Sequence, residues 1–209
     1  MKSSLFLRIA LTAGALFLFL SPDGSAQGKL SVGLEWGLSF NPLYYHAETY
    51  RASAGYQIDD SGVASGAQLN GLAALSLEWD WMKKHTLGLN LGIRGVGDGH
   101  GSLVLPLMLR DTYYFKADSL GTPFLFVEGG ALYNMDVSYH FGGLGGIGAG
   151  YRHRLGSHMM LDYGARLSGL YYRPDVFDPD TDERVLSILV EKNQRIDLNI
   201  ELVLALRFR

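Results

Sequence analysis

Residues 195–209 read Arg-Ile-Asp-Leu-Asn-Ile-Glu-Leu-Val-Leu-Ala-Leu-Arg-Phe-Arg. The even positions, Ile196, Leu198, Ile200, Leu202, Leu204, Leu206 and Phe208, are all large and apolar. The odd positions, Arg195, Asp197, Asn199, Glu201, Val203, Ala205, Arg207 and Arg209, are mostly polar or small. A strict period of two predicts a β-strand with two unlike faces. Seven successive apolar side chains on one face make a strip of roughly 40 Å at ~3.3 Å per residue. Strands of soluble proteins usually run about 5–6 residues, whereas a tilted strand needs about 9–11 to cross a bilayer. The segment therefore predicts a membrane-spanning strand, and a single strand is no solution in lipid unless others close a ring with it.

The same alternation recurs upstream. Residues 29–40 place Leu30, Val32, Leu34, Trp36, Leu38 and Phe40 opposite Ser31, Gly33, Glu35, Gly37 and Ser39. Further strands are predicted at about 68–81, 86–97, 103–115, 123–135, 141–154 and 159–172, with the last strand starting as early as Leu186. The expected fold is all-β, an eight-stranded antiparallel up-and-down transmembrane β-barrel. Short turns at 82–85, 116–122 and 155–158 are expected in the periplasm with both chain ends. The longer stretches 41–66 and 173–185 are expected outside, the first as a loop or as strands projecting beyond the membrane. Two positions strain the pattern. Pro106 lacks a ladder donor and is expected at an edge or bulge. Asp111 falls on the apolar face, so its strand should have left the hydrocarbon there.

Residues 1–26 have the build of a cleavable signal peptide, with Lys2 and Arg8 before the apolar run Ile9 to Leu20, then Gly24-Ser25-Ala26. Residues 27–209 are then expected to form one barrel domain. The chain has no cysteine, which removes disulfides and thiolate metal sites. A net charge of −3 argues against nucleic acid as a partner. The 27 glycines and 12 tyrosines suit many strands and aromatic girdles.

Charge decides which face looks inward. Glu35, Glu78, Arg94, Arg110, Glu128, Arg152, Asp162, Arg166, Asp197 and Glu201 all fall on the polar parity of their strands. In a soluble ligand carrier these would face water and the apolar rows would line the cavity. An eight-stranded barrel is just wide enough for side chains to fill it. Acids and guanidiniums in near-equal number can close on one another there as a structural network. Facing lipid, each Arg would cost about 2–4 kcal/mol near the midplane.

Leu105-Pro106-Leu107-Met108-Leu109-Arg110 with Tyr113-Tyr114-Phe115, followed by Pro123-Phe124-Leu125-Phe126-Val127-Glu128-Gly129-Gly130, resembles paired strands of the outer-membrane protein β-barrel domain family. These are the small porin-like barrels of Gram-negative bacteria. The likeness covers nearly all of the chain after the leader. It implies an integral protein of the cell outer membrane, delivered by the barrel-assembly machinery and surrounded by outer-membrane lipids. Phe208 matches the family's C-terminal aromatic, with Arg209 after it. The resemblance carries over no catalytic residue.

Other motifs read as structural. Gly143-Leu144-Gly145-Gly146-Ile147-Gly148 spells a dinucleotide fingerprint, but that fingerprint works only between a strand and a helix. Here the inward glycines are expected to make room for large lumen side chains. Asp178-Pro179-Asp180-Thr181-Asp182-Glu183, with Asp175, spaces carboxylates like a calcium loop but has Glu183 where the loop needs glycine. A solvated acidic loop is the preferred reading. The six histidines show no metal-ligand spacing. An enzyme would need a nucleophile near a base, for which His46, Tyr44, Tyr45, Ser53 and Ser61 are the candidates. The expectation is no cofactor, no metal and no catalysis. The leading role is structural or adhesive, through contacts of 41–66 and 173–185 with an extracellular ligand or envelope protein. A narrow channel, or an accessory barrel of a secretion or envelope machine, is the alternative.

Overall fold

A computed structural model describes residues 29–96, 102–116, 120–135 and 140–209. Residues 1–28, which include the expected signal peptide, and residues 97–101, 117–119 and 136–139 lie outside the described residues. Eight strands follow in chain order: β1 (Leu30–Arg51), β2 (Gln57–Met82), β3 (His85–Gly95), β4 (Leu103–Tyr114), β5 (Gly121–Asn134), β6 (Phe141–Arg154), β7 (Met159–Tyr172) and β8 (Val190–Phe208). Each pairs antiparallel with its neighbour, and β1 closes the ring on β8. Closure leaves no free edge within the ring, as a bilayer requires, while the outer part of β2, Gln57 to Gly71, pairs with β1 alone.

The register carries the sequence parity all the way round. Ile200, Leu202 and Leu204 face outward beside Phe40, Leu38 and Trp36. Leu202 is 65% exposed and its neighbour Glu201 is 0% exposed. The outer wall thus carries the apolar rows and the lumen carries the ionic ones. Phe40, Trp36, Tyr133, Tyr151, Tyr163 and Phe208 are among the exposed aromatics.

One open alternative is decided and two elements differ from expectation. Residues 41–66 are the projecting strands, not the loop. β1 and β2 continue as a paired hairpin to Arg51↔Gln57, after a register shift between Asn41 and Leu43. Its turn is tight: Ala52 N donates to Tyr56 O at 2.9 Å, and Gly55 takes φ +89°, which only glycine adopts at no steric cost. The alternation of apolar residues fades above Asn41; there β1 is held extended by pairing on both sides, with β2 and with β8 from Leu43↔Leu198 to Tyr50↔Val190, and it buries Ala47 and Tyr50. Pro106 is neither at an edge nor at a bulge. It pairs with Leu132 inside the barrel wall, and the β3–β4 ladder lapses between Leu91↔Leu107 and Arg94↔Val104 with its register unchanged. One missing donor interrupts the ladder without shifting it. The last strand starts at Val190 after a 3-10 turn, Ser187–Leu189, so the acidic connection runs from 173 to 189.

Inside, small residues set the spacing. A Cβ at Gly148 would meet the Phe126 ring at 2.3 Å, and one at Gly150 the Phe124 ring at 2.5 Å. The glycine run of β6 therefore seats two rings projecting from β5.

Candidate functional site

The lumen is built in three layers. Near the end that carries residues 30 and 208, Tyr114, Phe124 and Phe126 form an aromatic cluster. Towards the hairpin end, Val96, Val104, Met108, Leu132, Leu144, Leu170 and Tyr172 form an apolar one. The ions fill the space between them, with Arg110 opposite Glu128, and extend alongside the aromatic rings, where Asp162 and Arg207 line the same space and Arg152 lies opposite Thr122.

Register alone makes three of the pairs. Arg110 is directly opposite Glu128, Arg152 opposite Asp162, and Arg166 opposite Glu201. The side chains meet as that implies. Arg110 Nε donates to Glu128 Oε2 at 2.8 Å, Arg152 Nε to Asp162 Oδ1 at 2.7 Å, and Arg166 Nε to Glu201 Oε2 at 3.0 Å. Curvature adds the contacts across the lumen. Arg110 grips Glu35 of β1 at 2.5 and 2.9 Å, while Arg166 Nη1 reaches Glu128 at 2.7 Å and Glu35 at 3.4 Å. Arg94 binds Glu201 at 2.8 Å and donates to Ser39 Oγ at 2.9 Å. Arg207 binds Asp162 at 2.5 Å and also contacts Glu78. Forked guanidiniums suit such shared carboxylates, since each offers five donors in a fixed plane.

Nine of the ten expected residues thus join one network, with Arg207 added. It contains five guanidiniums (Arg94, Arg110, Arg152, Arg166, Arg207) and five carboxylates (Glu35, Glu78, Glu128, Asp162, Glu201). Asp197 stands apart, because the register raises it a layer towards the hairpin. There it pairs with Arg195 at 2.9 Å and accepts from Tyr172 Oη at 2.9 Å. Sequence reasoning missed the neutral partners. Ser168 donates to Glu201, Phe126 lies under Arg110 with 4.6 Å from guanidinium carbon to ring centroid, and Tyr114 under Arg152 at 4.4 Å. Their inward parity was the available signal. The apolar layer was missed too, since its leucines share a face with charges.

At the hairpin end, the connection 173–189 lies against the hairpin turn. Asp178 accepts from Ser53 N at 2.6 Å and Asp180 N at 2.9 Å, and Tyr56 Oη donates to Asp180 at 2.8 Å. Phe177 and Arg184 form a bridge within the connection, and Asp175 pairs with Arg184 at 2.9 Å. These backbone donors hold the Asp178 carboxyl below the usual aspartate range. Three of the carboxylates considered for calcium, Asp175, Asp178 and Asp180, are thus engaged by the protein's own donors. His46 Nε2 sits 3.1 Å from Asp60, but its buried Nδ1 has no partner, so no hydroxyl is aligned on it as a nucleophile. Outward-facing Asp111 is half-shielded by His85 at 3.1 Å and by Trp81 Nε1 at 3.4 Å.

A closed strand ring with an ionic interior and an apolar outer wall defines an integral β-barrel of the outer-membrane class. The solved structures agree on the fold. The crystal structure of Neisserial surface protein A matches with a TM-score of 0.52 at 14% identity, covering 88% of this chain and 99% of that one. Outer membrane protein OprG from Pseudomonas aeruginosa matches with a TM-score of 0.52 at 10% identity, covering 86% and 94%. No protein-family model and no curated protein matches the sequence.

Proposed function

We propose that this is a closed, non-enzymatic barrel whose work is done at its outer surface. The short turns and both described chain ends face the periplasm. The β1–β2 hairpin and the connection latched to it stand outside as the contact surface for an extracellular ligand or envelope protein. One observation carries this reading: the space left among Glu35, Arg110, Asp162 and Arg207 is only about 10 Å³, at the limit of what one water needs. Nor do the inward glycines leave holes. A Cβ at Gly33 would meet Ser76 Oγ at 2.5 Å, and one at Gly88 would meet Glu78 at 3.4 Å. The apolar layer above the ions adds a barrier of the kind that stops conduction by excluding water.

Single-channel recording in planar bilayers tests the reading. A silent bilayer at ordinary voltages is expected. Steady openings of uniform size would instead establish the narrow channel. A photo-cross-linker placed at exposed Ile188 or Tyr56 would then capture the surface partner.

A further inference from the structure

The periplasmic mouth holds a second charged feature, outside the ion-pair network and opposite to it in balance. Below Arg152 the lumen opens into a recess of about 80 Å³ lined by Lys83, Lys116, Arg154 and Arg209, with Asp80 the one acidic side chain among the described lining residues. Asp80 is already engaged: Thr86 Oγ1 donates to it at 2.7 Å and the Arg209 guanidinium pairs with it. Arg152 is likewise held by Asp162. No ion pair joins Lys83, Lys116 or Arg154 to a carboxylate among the described residues, and Arg209 Nε is buried without an acceptor. Cations are thus gathered into a concave site around one acidic side chain that is already engaged, where the neighbouring layer sets five guanidiniums against five carboxylates.

We propose that this recess is a binding site for a phosphate oxyanion. The volume is far below the ~300 Å³ of a site for a drug-sized ligand and corresponds to roughly two or three waters at ~30 Å³ each. That suits a tetrahedral anion or the tip of a larger molecule. Phosphate supplies several acceptors at once, and hydrogen bonds from cations to an anion are about twice as strong as neutral ones. Lys83 and Lys116 flank the recess from turns, and Arg154 and Arg209 from strand ends. The anion would bridge four separate chain segments at the rim. Its source is either free phosphate or the phosphodiester of an inner-leaflet lipid headgroup.

The test uses the full refolded barrel in a neutral maltoside detergent with chloride as the only other anion. Inorganic phosphate and soluble glycerophosphoglycerol are titrated separately by calorimetry. One site per barrel is expected, weakened at least tenfold in Lys116→Gln/Arg154→Gln and unchanged in Arg184→Gln, which lies at the opposite end. Binding of phosphate alone identifies a free anion, and binding of the phosphodiester identifies a lipid source. If neither binds, if chloride competes equally, or if binding survives the double variant, the site is refuted. Should the double variant fail to fold, as judged by heat-modifiable gel migration, Lys116→Gln alone must still weaken binding.

Discussion

Glu35 and Arg110 lie on β1 and β4, strands that share no ladder, yet carboxylate and guanidinium meet across the lumen in two hydrogen bonds of 2.5 and 2.9 Å. Glu35 also lies 3.4 Å from Arg166 and 3.9 Å from Arg207. It is the carboxylate on which three guanidiniums converge. Replacing it by Ala removes the charge that these three buried guanidiniums share. Removal of one partner from a buried pair costs about 3–5 kcal/mol. Glu35→Ala should lose about that much in urea unfolding from lipid vesicles. Glu201→Ala should match it, and Asp197→Ala, outside the network, should lose less.

The outward wall makes a separate prediction. Leu204 is 46% exposed, pairs with Trp36 and Tyr163, and sits between Leu202 and Leu206 in the apolar row. Leu204→Arg places a guanidinium against lipid. The penalty is about 2–4 kcal/mol at the midplane, falling towards the interfaces. Folding into vesicles, followed by heat-modifiable migration, should show it. An unchanged stability would mean that this wall does not face hydrocarbon.

The latch at the hairpin end predicts a pH dependence with a defined sign. The Asp178 carboxyl is held below its usual value by backbone donors. Its contribution is therefore fully present above the usual aspartate pKa of about 3.9 and is lost as pH falls through the lower folded value. Hydrogen exchange across 174–184 should be slow and constant between about pH 7 and 5, once corrected for intrinsic rates. Protection should then collapse in stronger acid while the barrel strands stay protected. Asp178→Asn keeps one acceptor of two and should loosen the same segment at neutral pH. Protection that persists in acid would show that Tyr56 and the Phe177–Arg184 bridge hold the connection unaided.

The sequence by itself determined the strand count, the antiparallel ring and the facing of each strand. These follow from one local rule: alternate side chains point to opposite faces, and ionic rows cannot face lipid. It also placed Glu35, Arg110, Glu128, Arg166 and Glu201 together in the lumen, because parity alone turns them inward. It did not reveal the length of β1 and β2, because above Asn41 the alternation fades and pairing between neighbouring segments takes over.

Only the tertiary structure decided which acid meets which base. Direct partners such as Arg166 and Glu201 depend on register, which a one-residue slip would change. Cross-lumen partners such as Arg110 and Glu35 depend on the curvature that brings unpaired strands within reach. The same closure separated Asp197 from the network and gathered Leu132, Leu144 and Leu170 into an apolar layer above it. It also drew Lys83, Lys116, Arg154 and Arg209 around one recess. Position along a strand is written in the sequence, but height and angle around a ring are set by how eight tilted strands close.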